Sequence, residues 1–118
     1  MLDEEDFCYL TTTGRVTGKP REIEIWFALA GFTLYMLSGG RDRSDWVKNI
    51  RKNSMVFVRV GQQRRAGVAR LLEAGDEDQL ARKMVVEKYR QRGEDDLDEW
   101  GKTALVVAVE LQGPASRG

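Results

Sequence analysis

Residues 21–29 alternate between two faces, and this alternation limits the fold more than any other feature of the sequence. One face carries Ile23, Ile25 and Phe27, and the other carries Glu22, Glu24 and Trp26. Successive side chains of a β-strand point to opposite sides of the sheet, so a period of two predicts a strand with one buried side. A strand of this kind needs partners, and the rest of the chain must supply them.

Other apolar segments of strand length are bounded by glycine or by polar turns, which is typical of short antiparallel strands. These segments cover residues 7–13, 32–38, 55–60, 64–73 and 103–111. Two stretches have helical features instead: residues 44–52, which Asp42 or Ser44 can cap, and residues from 75 to about 89, with acidic residues in the first turn. Residues 93–101 are acidic and predict an exposed connection or a short helical turn.

The order of these elements predicts a mainly β fold with α-helices. About six antiparallel strands would close into a small barrel, with two or three helices in the connections. The first three strands would form a meander, and the fourth and fifth a hairpin. A length of 118 residues predicts a single domain, 1–118.

The composition excludes several kinds of active site. The chain has no histidine and one cysteine, Cys8. Histidine general bases, serine–histidine and cysteine–histidine pairs, zinc sites and an intrachain disulfide are therefore excluded or strongly disfavoured. We expect no metal site and can name no catalytic side chain. If the protein is an enzyme, a bound cofactor is expected to carry the chemistry.

Positive charge is concentrated in the middle of a chain whose net charge is zero. Residues 41–70 hold nine bases and two acids, which indicates an anionic partner. Nucleic acid is disfavoured, because Trp46 and Phe57 are the only aromatic residues in this segment and no nucleic-acid-binding motif is present. No apolar run approaches the ~18 residues of a membrane span. The acidic start MLDEEDF lacks the features of a signal peptide, so we expect a cytoplasmic protein.

The segment TTTGRVTGKPR, residues 11–21, is the first candidate binding element. Gly14 and Gly18 can adopt positive φ and expose amides toward an anion, while Arg15, Lys19 and Arg21 supply positive charge. A hairpin loop kept soluble by its charges explains the same residues. The pattern alone favours the hairpin loop.

The second candidate is a glycine-rich turn before the first helix. Ser38, Gly39 and Gly40 are followed by Arg41, and Trp46 lies in the first turn of the helix. A helix N-terminus attracts anions, and an indole can cover a flat ring. The alternative is that the tryptophan packs in the core and the arginine is solvated. Two such elements in one small barrel favour a ligand that combines an anion with a ring.

These motifs together resemble a known family. TTTGRVTGKPR resembles the opening of the deazaflavin-dependent nitroreductase-like family, roughly TTxGRxSGxPR, and LSGG followed by Trp and Asn-Ile resembles that family's next motif. The segment GVARLLEAGDEDQLARKMVVEKY is similar to the equivalent part of the wider flavin-reductase group, which includes the pyridoxamine phosphate oxidase type. The resemblance covers about residues 7–111.

The resemblance implies a split β-barrel that binds coenzyme F-420, a deazaflavin with a phosphate and an acidic tail. It implies hydride transfer to a quinone, nitro or enone-type small molecule. By position, Arg15 and Arg21 would hold the phosphate and tail, with Lys19 beside them. The remaining implied contacts are Gly14 and Gly18 in the turn, Ser38, Gly39 and Gly40 along the ring, Arg41 next to them, and Trp46 and Asn49 beneath the ring.

One departure from the family pattern bears on the cofactor. Val16 stands where the family often has a lysine, which removes one phosphate contact, and Lys19 is the candidate replacement. FMN is the alternative cofactor, for a flavin reductase or oxidase-like protein. FMN-binding relatives place a lysine where this chain has Trp46, which favours the deazaflavin, although Arg41, Arg43 or Lys48 can still hold a phosphate.

Two further alternatives stay open. The chain resembles split barrels of which some bind a cofactor without catalysis. Many split barrels also dimerise, and Trp26 and Trp100 are candidates for interface anchors, core residues or walls of a substrate pocket. A homodimer is therefore an expectation of the resemblance.

Overall fold

The computed structural model describes residues 2–112, and a seven-stranded antiparallel sheet dominates it. The strands run in the order β2-β1-β5-β6-β7-β4-β3. Their bounds are β1 Cys8–Thr13, β2 Pro20–Ile25, β3 Ala28–Ala30, β4 Thr33–Ser38, β5 Met55–Val60, β6 Gln63–Leu72 and β7 Leu105–Leu111. The α-helices are α1 Asp45–Lys52, α2 Asp76–Gln91 and α3 Asp98–Thr103, and 3-10 turns cover Leu2–Glu4 and Arg41–Arg43.

The strand predicted over residues 21–29 is in fact two strands at opposite edges of the sheet. Ile25 pairs with Cys8 of β1, whereas Ala28 pairs with Tyr35 of β4. Only Trp26 and Phe27 separate the two strands, so the two outer edges must approach each other there. The sheet therefore curls into a half-barrel of the split-barrel type. Both pairings of the predicted meander are found, β1 with β2 and β3 with β4, but the middle strand is divided between two edges, so the three segments do not form one continuous meander. The predicted hairpin of β5 and β6 is confirmed.

The core has two parts, one on each side of the curled sheet. Leu10, Phe27, Met36 and Val58 belong to the cluster inside the half-barrel, which α1 covers through Val47 and Ile50. The second cluster lies between the sheet and helices α2 and α3, and it contains Tyr35, Leu37, Ala81, Val85, Tyr89 and Leu97. Strand β7 belongs to both clusters, because its residues from Leu105 to Val109 are all buried.

The acidic segment at residues 93–101 leads into a short helix, which was the second of the two predictions for it. Leu97 is buried, and the chain then enters α3, which ends at Thr103 beside the start of β7. Gly101 of α3 packs so closely on α2 that a methyl group there would lie 2.6 Å from a Val86 side-chain carbon. Among the described residues, no helix is long and apolar enough to cross a membrane.

Candidate functional site

The loop between β1 and β2 is closed by its own backbone. The Gly14 N–H donates to the Lys19 carbonyl at 2.8 Å, and the Gly18 N–H donates to the Gly14 carbonyl at 2.8 Å. Gly18 has a φ of 74°, which explains why glycine suits this position. The two amides expected to face an anion are therefore engaged inside the loop, and that part of the cradle prediction is wrong.

Arg15 ties this loop to helix α1 instead of pointing away from it. Its backbone N–H donates to Asn49 Oδ1 at 3.1 Å, and its Nη1 donates to the same oxygen at 2.9 Å. Its Nη2 lies 3.1 Å from Asp45 Oδ1. Lys52 Nζ donates to the Arg15 carbonyl at 3.1 Å, so the loop is held at both ends of the helix. The Arg15 guanidinium is therefore partly neutralised before any ligand binds.

Asn49 is the centre of this network. Its side chain is buried, and its Nδ2 donates to Thr12 Oγ1 at 3.1 Å while its Oδ1 accepts from Arg15. Thr12 is buried in β1 as well. A buried amide with all of these partners fixes the distance between the sheet and the helix, and it would be costly to remove.

Arg21 differs from Arg15 in both exposure and pairing. It is exposed on β2, and within residues 2–112 it has no ion-pair partner. It lines a cavity of about 570 Å³ between the loop, β2 and α1. The wall residues are Thr12, Gly14, Arg15, Val16, Thr17, Pro20, Arg21, Glu22, Ile23, Asp45, Trp46 and Asn49. A solvated guanidinium beside a half-buried indole can receive an anionic group attached to a ring.

The glycine-rich turn after β4 forms a separate group of residues. Ser38 Oγ is buried, donates to the Arg41 carbonyl at 3.0 Å and lies 2.8 Å from Ser44 Oγ. Gly40 faces Ser44 so closely that a methyl group would lie 2.6 Å from its hydroxyl. Arg41 has a φ of 53° and donates to the Thr103 carbonyl, which ties the turn to α3.

The predicted site residues thus fall into two groups rather than one. Gly14, Arg15, Arg21, Trp46 and Asn49 line the cavity described above, whereas the group from Ser38 to Arg41 does not. Gly18 lines a neighbouring cavity of about 470 Å³ with Lys52, on the other side of the loop. Lys19 lines neither cavity, so the replacement expected for the missing lysine at Val16 is not found there.

A third cavity, of about 400 Å³, joins residues that are far apart in the sequence. Its walls are Glu24, Ile25, Trp26, Leu97 and Trp100. The two indoles meet edge to face, with centroids 5.7 Å apart and planes at 89°. Trp100 also borders the glycine-rich turn, since a methyl group on Gly39 would lie 3.5 Å from Trp100 Cδ1. The sequence singles out both tryptophans, but only the fold brings them together.

Two buried titratable groups of the core have a raised pKa. Burial raises the pKa of the Cys8 thiol to about 12, so this residue is a neutral, inert thiol, as the sequence predicts. Burial also raises the pKa of the Tyr89 phenol to about 12. Among the described residues, no group of three or more cysteines and carboxylates could hold a metal ion.

Comparison with known proteins identifies the family. A family model described as F420H(2)-dependent quinone reductase matches residues 1–112. The solved structure of an F420-H2 dependent reductase is 27% identical, and the match covers 89% of this chain and 94% of that one with a TM-score of 0.71. A domain-swapped dimer is 26% identical, with coverage of 89% and 80% and a TM-score of 0.72.

More distant structures share the fold alone. An FAD-binding protein from Mesorhizobium loti is 17% identical, with coverage of 95% and 83% and a TM-score of 0.71. No curated protein matches the chain. The shared fold confirms the split-barrel prediction, and the family model together with the F420-H2 dependent reductase confirms the resemblance drawn from the two glycine-rich motifs.

The residues of the first cavity fit the cofactor of this family. A phosphate and an acidic tail need cations that are not already paired, and Arg21 meets this condition. The flat ring needs an apolar wall, and Trp46 supplies one in this cavity. The chain belongs to the F420H(2)-dependent quinone reductase family and is an oxidoreductase that uses reduced coenzyme F-420.

Proposed function

We propose that the protein reduces a quinone, with the cofactor held between the β1–β2 loop and α1 and the acceptor held between Trp26 and Trp100. The observation that carries this proposal is the tryptophan-walled cavity beside Gly39. It is apolar, it is shaped by two perpendicular indoles, and it borders the turn that the family resemblance assigns to the cofactor ring. When bound, reduced F-420 supplies a hydride.

Two kinds of contact would bind the cofactor: charged groups would hold its phosphate and tail, and an aromatic side chain would pack on its ring. Arg21 would hold the phosphate or the acidic tail, because its guanidinium is exposed and unpaired within residues 2–112. Arg15 would contribute a weaker field, since Asn49 and Asp45 already occupy its donors. Trp46 would cover one side of the ring. Ser38 would keep the turn from Gly39 to Arg41 in place through its own hydrogen bonds.

The acceptor pocket favours a planar and largely uncharged molecule. Four of its five wall residues are apolar or aromatic, and Glu24 is the only charged residue among the five. A carboxylate there disfavours an anionic acceptor. A bicyclic quinone matches these walls, and a nitroaromatic or enone-type ring is the next candidate. Hydride transfer places no demand on a protein general base, in keeping with a histidine-free chain.

Steady-state oxidation of reduced F-420 tests the proposal, with menadione as the quinone and a nitroaromatic as the comparison. We expect turnover with menadione, a raised KM for menadione in Trp100→Ala, and a raised KM for the cofactor in Arg21→Ala. Trp100→Ala should leave the KM for the cofactor near its wild-type value, and Arg21→Ala should leave the KM for menadione near its wild-type value. Turnover confined to the nitroaromatic, or variants that move the opposite KM, would overturn the assignment.

We also propose that the protein forms a homodimer through the outer face of β5 and β6. Met55, Phe57 and Val68 are exposed side chains on this face, and Met55 is paired with Val68 across the strands. A related structure at 26% identity is a domain-swapped dimer, which supports self-association. Light scattering should give twice the monomer mass, and Phe57→Glu should give the monomer mass with the fold intact. A monomeric wild-type protein would overturn this.

A further inference from the structure

Tyr89 of α2 stacks on Trp26, one of the two tryptophan walls of the proposed acceptor pocket. The ring centroids are 4.3 Å apart and the planes differ by only 5°. Tyr89 is buried, whereas Trp26 is half-buried and keeps contact with the cavity. The tyrosine therefore lies behind the wall, and it does not line the cavity itself. Parallel stacking of this kind fixes the plane of the outer ring.

The hydroxyl of Tyr89 holds the backbone next to Trp26. It accepts a hydrogen bond from the Phe27 N–H at 2.9 Å and donates one to the Asp6 carbonyl at 2.7 Å. Phe27 follows Trp26 at the point where the chain passes from β2 to β3. The same tyrosine thus holds both the side chain of the wall and the peptide that carries it.

The segment on the other side of this hydroxyl is held as well. Arg92, which follows the last residue of α2, contacts the Asp6 carboxylate and donates to the Glu4 carbonyl at 2.6 Å. Asp3 Oδ1 accepts from the Leu29 N–H at 2.8 Å, and Lys88 Nζ lies 3.5 Å from it. The carbonyl that orients the Tyr89 hydroxyl is therefore fixed by independent contacts.

We propose that Tyr89 is a positioning residue that sets the angle of Trp26 and, through it, which acceptors the pocket takes. This inference rests on the proposed function of the tryptophan pocket. The width of the pocket depends on the 89° angle between Trp26 and Trp100. If Trp26 were released, it could rotate toward Trp100 and close the space that a bicyclic ring needs. Selectivity for large over small acceptors should therefore depend on a residue that no acceptor touches.

Two substitutions test the roles of the Tyr89 ring and of the Tyr89 hydroxyl separately. Tyr89→Leu removes the stacking and should raise the KM for menadione about three- to tenfold, the range expected for one lost aromatic pair. Tyr89→Phe keeps the ring and should raise it about two- to fivefold through the lost hydrogen bonds. The KM for benzoquinone, a single ring, should change less than the KM for menadione in both variants.

The matched control is Tyr35→Phe. Tyr35 is a buried tyrosine of the same cluster, and its hydroxyl donates to Glu77 of α2 at 2.7 Å, away from the pocket. Tyr35→Phe should lower stability without changing the KM for menadione or the KM for benzoquinone. A purely structural role of Tyr89 would lower kcat through loss of active protein, whereas a positioning role moves KM at constant kcat. The tryptophan bands of the near-ultraviolet circular dichroism spectrum should also change in the Tyr89 variants and not in the control, because Tyr89 stacks on Trp26.

Variants of the two tryptophans distinguish an error about Tyr89 from an error about the acceptor pocket. Unchanged KM for menadione in both Tyr89 variants, with a raised KM in Trp26→Ala, would overturn the role of Tyr89 alone. Unchanged KM in Trp26→Ala and Trp100→Ala would overturn the acceptor pocket and the inference with it. Tyr89→Phe keeps the test available if Tyr89→Leu does not fold.

Discussion

The cavity beside Arg15 and the pocket between Trp26 and Trp100 are held in opposite ways. At the first, hydrogen bonds from Asn49 and Asp45 fix the walls. At the second, ring contacts fix them, with Tyr89 stacked behind Trp26. Polar side chains that hydrogen-bond to one another leave few donors and acceptors for a ligand. Aromatic side chains that are stacked on one face leave their other face open to a ligand.

This difference indicates which groups in each cavity are available to bind a ligand. At the polar cavity, the fixed network sets geometry and the single unpaired guanidinium, that of Arg21, is the group available for an anion within the described residues. At the apolar pocket, the walls themselves are the binding surface. Substitutions at the polar cavity should therefore separate into those that change stability and those that change affinity, and the following experiments test that separation.

Asn49→Ala should have the largest effect, because it breaks the network at its centre. The change leaves the buried Thr12 hydroxyl and the Arg15 amide without their partner. We expect a loss of about 2–3 kcal/mol in the free energy of unfolding, measured by urea denaturation. Asn53→Ala is the control, since Asn53 is exposed and its side-chain oxygen accepts one hydrogen bond within residues 2–112, from the Met55 N–H. Equal losses in the two variants would contradict the central role of Asn49.

Arg21→Ala should mainly reduce cofactor affinity, whereas Arg15→Ala should also reduce stability. For Arg21→Ala we expect F-420 affinity to fall about tenfold or more, the size of a lost charged hydrogen bond, with stability unchanged. For Arg15→Ala we expect a smaller loss of affinity together with a loss of about 1–2 kcal/mol in stability. Fluorescence titration and urea denaturation on the same preparations provide both numbers. The comparison fails if Arg15→Ala reduces affinity more than Arg21→Ala at unchanged stability.

Val16→Lys adds a second unpaired cation to the polar cavity, beside Arg21. Val16 is 88% exposed and lines the cavity, so the substitution loses no core packing. We expect F-420 affinity to rise about two- to fivefold, with a steeper dependence on salt and no change in the midpoint of thermal unfolding. Val16→Gln is the uncharged control and should match the wild-type protein. A gain in the glutamine variant would point to contacts other than charge.

Glu77 offers a reference region outside both cavities. Its carboxylate accepts from Arg70 and from the Tyr35 hydroxyl, and these hydrogen bonds lower its pKa to about 2. A lowered pKa in the folded state means that this contribution to stability is complete above the ordinary glutamate pKa and is lost as pH falls toward 2. Glu77→Gln should therefore flatten the fall in thermal stability between about pH 5 and pH 2. Its F-420 affinity at neutral pH should remain that of the wild-type protein.

Much of the sheet could be predicted from the sequence, and one error shows what could not. Alternation identifies extended backbone, but it does not reveal where a strand leaves one neighbour for another. Residues 21–29 keep their alternation across Trp26 and Phe27, while their pairing changes from β1 to β4. That change of partner depends on the curvature of the whole sheet, which no local pattern encodes.

The candidate site shows the same limit at the level of single side chains. Arg15 and Arg21 are alike in the sequence, yet Asn49, 34 residues from Arg15, engages one and leaves the other exposed. The tryptophan pocket joins β2 to α3. The sequence alone leaves the roles of its two tryptophans open between an interface, the core and a pocket wall. Long-range contacts of this kind decide which members of a motif are free to bind a ligand.

Titration of coenzyme F-420 with the wild-type protein, followed by fluorescence and repeated with FMN, tests the central claim most directly. We expect F-420 to bind more tightly than FMN, and we expect Arg21→Ala to weaken F-420 binding at an unchanged unfolding midpoint. Tight binding of FMN with no measurable binding of F-420, or F-420 binding that is indifferent to Arg21→Ala, would contradict it.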